Sequence, residues 1–118
     1  LFEQVLFNLI DNAAKYAPQE TAIEIRGWSD GDSVTLAVID EGPGIPGDDL
    51  ERIFDSFYRV RKGDFVRAGT GLGLSICRGF VEAMGGRLKA TNRTDRSGAI
   101  FTVSLPIAAQ PTISEEIK

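Results

Sequence analysis

The chain has 118 residues, 42% of them hydrophobic and 25% charged, with a formal net charge of −4. That is material for one domain with a sizeable core, and the acidic balance argues against a nucleic-acid binder, which presents a basic face. A single cysteine and no histidine exclude a disulfide framework and make a zinc site improbable, and no apolar run approaches the roughly 20 residues needed to cross a bilayer.

Phe2, Val5, Leu6, Leu9, Ile10, Ala13 and Ala17 recur at helical spacing and predict a first helix, stopped by Pro18. At 100° per residue, Asn8, Asn12 and Lys15 fall on a narrow strip beside that stripe. The chain begins inside this helix, which leads to the expectation that a strand and the helix N-terminus lie upstream. Residues 21–28 and 34–40 read as strands of a hairpin around Ser29-Asp30-Gly31-Asp32-Ser33. Val34, Leu36, Val38 and Asp40 share one face of the second strand by its period of two, so Asp40 is expected to point inward.

A short helix is predicted after Pro46, capped by Asp48 with Glu51 three positions on. It would set Leu50, Ile53, Phe54 and Phe57 on one side, with Phe54 and Phe57 read first as packing residues. Residues 59–70 have no sustained periodicity and carry Arg59, Arg61, Lys62 and Arg67 against Asp64, the pattern of a mobile basic loop. The next helix is expected from about Leu72 to Met84, ending at Gly85-Gly86, with Cys77 as an inert core residue. Strands at 87–92 and 99–105 close a second hairpin, and a polar tail follows Pro106. Helices on one face of a mixed, mainly antiparallel sheet give an α+β two-layer sandwich.

Two glycine-rich strings stand out. Asp40-Glu41-Gly42-Pro43-Gly44-Ile45-Pro46 places a carboxylate, which accepts hydrogen bonds, at a strand end beside glycines that keep the backbone low. Such a group suits the exocyclic amino donor of adenine. In Gly69-Thr70-Gly71-Leu72-Gly73-Leu74 the amides opening a helix can face anionic oxygens, helped by the helix dipole. This is not a dinucleotide fingerprint, which needs glycine where Leu74 stands. The absence of a Gly-Lys pair excludes a P-loop, and the absence of His-Arg-Asp and Asp-Phe-Gly argues against a eukaryotic-type kinase.

Taken with Asn8-Leu9-Ile10-Asp11-Asn12-Ala13-Ala14-Lys15-Tyr16, these strings occur in the order of the N, G1, F and G2 boxes. From residue 3 to about 106 the chain resembles the catalytic, ATP-binding domain of bacterial sensor histidine kinases, of the Bergerat superfamily. The resemblance implies ATP and Mg²⁺ as ligands, with Asn12 and also Asn8 at the metal and Lys15 on phosphate. It implies nucleotide contacts from Tyr16, Asp40, Gly42, Gly44, Ile45, Phe57, Arg59, Gly69, Thr70, Gly71, Leu72, Gly73 and Leu74. Asn8, Asn12 and Lys15 carry the catalytic role in this reading. Ala99 stands where many relatives have threonine. Residues 75–86 and 91–98 look most like the potassium-responsive sensor kinases.

The activity so implied is transfer of the γ-phosphoryl group of ATP to a histidine. Because the chain has none, the acceptor is expected on a separate dimerisation domain of a homodimeric protein, which would pass the group to a response regulator. A cytoplasmic domain of a protein anchored in the inner membrane fits this picture. Two rivals differ in class. ATP hydrolases and serine kinases of the same superfamily carry a glutamate four residues before the metal-binding asparagine, where this chain has Asn8. An amide accepts no proton at neutral pH, whereas an attacking neutral imidazole needs no base. The other rival, a nucleotide-binding module without catalysis, is distinguished by a transfer assay.

Overall fold

The computed structural model describes residues 2–55 and 71–107, without the side chains of Tyr16 and Leu72. The order is α1 (Phe2–Tyr16), β1 (Glu24–Asp30), β2 (Ser33–Ile39), two 3₁₀ turns (Gly47–Asp49 and Arg52–Phe54), α2 (Gly71–Ala83), β3 (Arg87–Asn92) and β4 (Ala99–Pro106). The strands pair in the order β1-β2-β4-β3, antiparallel at every pairing among the described residues. The two helices cover one face of this sheet, giving the expected two-layer sandwich.

The apolar stripe of α1 explains its placement. Val5, Leu9 and Ala13, one turn apart, are fully buried, and Phe2, Leu6 and Ile10 flank them against the same core. Opposite them, the strands contribute alternate residues, Val38 from β2, Leu88 and Ala90 from β3, and Ala99, Phe101 and Val103 from β4. From α2 come Leu74, Cys77 and Val81. The helix ends as its glycines require: Gly86 N–H donates to Val81 O and Gly85 N–H to Glu82 O, both at 2.9 Å, the paired bonds of a Schellman stop.

Three local expectations are corrected. Residues 21–23 are not strand, because the backbone N–H and hydroxyl of Thr21 both return to Pro18 O, the hydroxyl at 2.6 Å, and close a turn there. The first hairpin is tighter than its turn-rich sequence implies: Asp30 pairs with Ser33, leaving Gly31 and Asp32 as the connection. The segment after Pro46 forms 3₁₀ turns, and neither has a side-chain cap. The Glu51 carboxylate, expected to reach back to Asp48, is held by Arg78 of α2 through bonds of 3.1 and 3.4 Å. Arg78 also lies over the Phe54 ring at 4.3 Å, so cation–π attraction adds to the ion pair. Ile53 and Phe54 are buried as expected, and Phe54 meets Phe101 edge-on.

Burial along α1 makes a graded prediction. Leu9→Ala should cost about 2–5 kcal/mol through lost transfer energy and a cavity, whereas Phe7→Ala, at a side chain 66% exposed, should stay within about 0.5 kcal/mol. Urea unfolding of both variants checks this, and equal effects would contradict the orientation of α1.

Candidate functional site

The core between α1 and the sheet is bordered by two buried polar side chains. Asn12 lies beside Ala13 on α1 and is 1% exposed; Asp40 follows β2 on the face of Val38 and is fully buried. Buried polar groups in native proteins almost always have partners. Here both amide atoms of Asn12, Nδ2 and Oδ1, are buried without one, and so is Oδ2 of Asp40. The remaining buried, unbonded side-chain atom among the described residues, Arg78 Nε, faces the Glu82 carboxylate at 3.7 Å. Each unmet group costs on the order of 1–3 kcal/mol, so Asn12 and Asp40 are places where a ligand would recover energy already spent on folding.

The other oxygen of Asp40 is fully engaged. Its Oδ1 accepts Gly42 N–H at 2.8 Å and Ala99 N–H at 3.1 Å. These two backbone donors fix the carboxylate plane and leave Oδ2 as a free acceptor. The Asp40 N–H in turn donates to Ala99 O at 3.0 Å, so the strand pairing of β2 with β4 continues to the loop.

Beyond Asp40 the loop is held by the β3–β4 hairpin. Ile45 N–H donates to Asn92 Oδ1 at 2.8 Å, and Asn92 Nδ2 donates to Ile45 O at 2.7 Å. Ser97 donates to Gly42 O at 2.6 Å, and Arg93 Nη1 to Asp40 O at 3.2 Å. Arg93 is itself oriented by a forked pair with Asp95, both bonds 3.1 Å, and this hydrogen bonding holds the Asp95 carboxyl below its ordinary range. Two glycines make the approach possible. Gly44 adopts φ 81°, and a Cβ there would meet Asn92 Oδ1 at 2.9 Å; at Gly98, with φ 148°, a Cβ would run into the carbonyl of Asp40.

The remaining site residues proposed from sequence are placed unevenly. Asn8 is half-buried and donates to Cys77 Sγ at 3.5 Å, facing α2. Burial pushes the Cys77 thiol up, with a smaller opposing effect from Asn8, which keeps it a neutral core group. Lys15 is exposed and pairs with Asp11 at 3.4 Å. Ile45 is buried in the core, as is Leu74 near the start of α2. Gly71 and Leu72 open α2, so the helix N-terminus falls where the second glycine string predicts it. Phe57, Arg59, Gly69, Thr70 and the basic loop lie outside the described residues, as do the side chain of Tyr16 and residues 108–118. The sequence does not mark Asn92, Arg93 and Ser97 as site residues: their partners are 47, 53 and 55 positions away, and no sequence period reports such pairing.

The residues present suit a nucleotide and its metal. Asn12 offers an uncharged oxygen, the donor a hard cation takes without opposing phosphate charge, and Asp40 offers an acceptor to a base. Among the described residues no group of three or more His, Cys, Asp or Glu converges on a metal position, and no helix is long and apolar enough to cross a membrane.

Comparison with known proteins agrees with this fold. The sequence profile of the histidine kinase-, DNA gyrase B- and HSP90-like ATPases matches residues 1–109. The sensor protein KdpD of Escherichia coli K12 is 44% identical over 115 residues, covering 98% of this chain and 13% of KdpD. The chain therefore spans only about an eighth of that relative. The mycobacterial sensor histidine kinase MprB superposes with a TM-score of 0.78 at 30% identity, covering 87% of this chain and 70% of that one. Full-length ShkA, solved with AMPPNP, gives a TM-score of 0.75 at 32% identity, covering 91% and 21%. With its fold, its glycine loops and these relatives in agreement, the chain belongs to the histidine kinase-, DNA gyrase B- and HSP90-like ATPase family, as a catalytic domain of the sensor histidine kinase kind.

Proposed function

We propose that this domain binds ATP with Mg²⁺ and donates the γ-phosphoryl group to a histidine on a separate dimerisation domain. The observation that carries the reading is the pair of buried side chains left without partners, Asn12 on α1 and Asp40 at the end of β2. Asp40 Oδ2 accepts from the adenine amino group, and Asn12 Oδ1 supplies a metal ligand, with Asn8 as a second candidate. Lys15, on the last turn of α1, exchanges Asp11 for phosphate. The amides opening α2, from the Gly69–Leu74 string, take the phosphate oxygens. Mg²⁺ supplies charge neutralisation for the transferring group, and the protein's share is positioning and electrostatics. ShkA was solved with the ATP analogue AMPPNP, which supports the choice of ligand.

The full protein, in this reading, is a homodimeric sensor anchored in the inner membrane, with this domain in the cytoplasm and a response regulator as its downstream partner. Likeness to KdpD and to the potassium-responsive kinases extends the proposal to a potassium or osmotic stimulus.

Asp40→Asn makes a directional test. The two backbone amides on Oδ1 compel the new carboxamide to keep its oxygen there, which turns its NH₂ toward the base. Affinity for ATP should fall about 5- to 150-fold, the equivalent of 1–3 kcal/mol, while inosine triphosphate, with an acceptor at the same ring position, should hold or gain. Calorimetry with both nucleotides decides; unchanged ATP affinity removes Asp40 from base recognition.

The position four residues before Asn12 carries Asn8, whose amide bonds Cys77. The nearby acids are badly placed to activate water: Asp11 carries its carboxylate at the surface, 39% exposed, while Asn12 is buried, and Glu3 is exposed and about 140° around the helix from Asn8. General-base help is worth about 10²- to 10⁴-fold. The domain should therefore bind ATP yet hydrolyse it negligibly, and should form acid-labile phosphohistidine once the histidine-bearing domain is added. Robust turnover by the pure chain would instead indicate a hydrolase, and binding without transfer a regulatory module.

A further inference from the structure

The loop from Asp40 to Pro46 has no helix or strand of its own, yet it carries the acceptor that the proposed function assigns to adenine. Its position must come from elsewhere. Apart from the turn bond within it, from Gly42 N–H to Asp40 Oδ1, every hydrogen bond described for residues 40–45 reaches the β3–β4 hairpin, between Asn92 and Ala99.

Asn92 has the most restrictive of these contacts. It is the last residue of β3 and lies on the helix-covered face with Leu88 and Ala90 by the strand period. Its carboxamide accepts from Ile45 N–H and donates to Ile45 O, the same two-way exchange a neighbouring strand would make. Ile45 is 3% exposed and packs in the core, so both its backbone groups depend on Asn92. Arg93, 14% exposed at its side chain, adds a guanidinium bond to the Asp40 carbonyl while Asp95 fixes its other edge. The loop is thus pinned at both ends, at Asp40 by Arg93 and Ala99 and at Ile45 by Asn92.

We propose that Asn92, seconded by Arg93, is a positioning residue for base recognition: it touches no nucleotide, and it holds the Asp40–Ile45 loop where Asp40 Oδ2 distinguishes an amino group from a carbonyl. The inference rests on the adenine-nucleotide reading and adds to it the residues that set selectivity. Asn92→Ala deletes both bonds to Ile45, frees the far end of the loop and blurs the placement of Oδ2. Affinity for the base then falls selectively, while phosphate binding at the opening of α2, built from other residues, persists.

The test is the ratio of ADP to IDP affinity, measured by calorimetry with Mg²⁺ on the 118-residue chain and on Asn92→Ala. A loss of global stability lowers both affinities by one common factor and leaves the ratio intact; a loss of positioning lowers the ratio. The wild-type chain should prefer ADP, and Asn92→Ala should reduce that preference by about tenfold or more, with IDP affinity changed less than about threefold. Asn92→Asp, which keeps the acceptor for Ile45 N–H and loses the donor, should fall between. If Asn92→Ala does not fold, Arg93→Met, which removes only the bond to the Asp40 carbonyl and the pair with Asp95, should lower the ratio about threefold. A wild-type preference that survives unchanged in the folded variants overturns the positioning role alone. A wild-type chain that binds neither nucleotide, or both equally, overturns the adenine reading and this inference with it.

Discussion

One carboxylate joins the parts of this domain. Asp40 Oδ1 accepts amides from Gly42 and Ala99, and so ties the end of β2, the loop beyond it and the start of β4 to a single oxygen. With two donors on one side, the carboxylate cannot rotate, and the second oxygen stays buried without a partner. An unmet acceptor of this kind lowers stability, and folding tolerates it because the sheet on one side and the α1–α2 layer on the other are already packed. In the proposed function, selectivity for a base would follow from geometry fixed before any ligand arrives, the general advantage of preorganisation.

The same division of labour recurs across the molecule. Apolar periodicity builds the frame: Val5, Leu9 and Ala13 on one side, Leu88, Ala90, Phe101 and Val103 on the other. Polar side chains then fix the irregular segments to that frame. Arg78 anchors the 3₁₀ turns through Glu51 and the Phe54 ring, and Asn92, Arg93 and Ser97 anchor the Asp40 loop. Neither segment makes a regular ladder, so side-chain contacts from distant residues add to the few backbone bonds that each one has. This is an economical way to hold a buried acceptor on a loop without giving the loop freedom.

How much of this was legible in the sequence follows from the kind of force involved. The stripe on α1, the alternation that turns Val38 and Asp40 inward on β2, and the Gly85-Gly86 helix stop are local patterns that appear in the structure near the expected residues, although Val34, at the start of the same β2 face, is 40% exposed. Asp40 was expected to point inward because Val38 does, and it is fully buried. The misses have non-local causes. Glu51 matched a capping pattern with Asp48, yet a cation 27 positions away took its carboxylate. Thr21 matched a strand, yet a turn bond to Pro18 outweighed β propensity. The clasp from Asn92, Arg93 and Ser97 reads in sequence as an ordinary polar hairpin turn, because its partners lie on another part of the chain. The roles proposed for Asn12 and Lys15 rest on family resemblance; what the structure adds for Asn12 is one observation that supports the proposal, a buried amide with both atoms unpaired.

The central claim is that the unpaired atoms of Asn12 and Asp40 are ligand positions. Amide NMR on the ¹⁵N-labelled chain reads them directly, through the Asn12 side-chain NH₂ and the backbone amides of Gly42 and Ala99, which donate to Asp40. Titration with ADP alone should shift Gly42 and Ala99, since a new partner on Oδ2 alters the oxygen that they share with the carboxylate. The Asn12 side chain should respond when Mg²⁺ is then added, and return when the metal is chelated. An Asn12 side-chain resonance indifferent to both, with Gly42 and Ala99 unmoved at saturating ADP, would contradict the account.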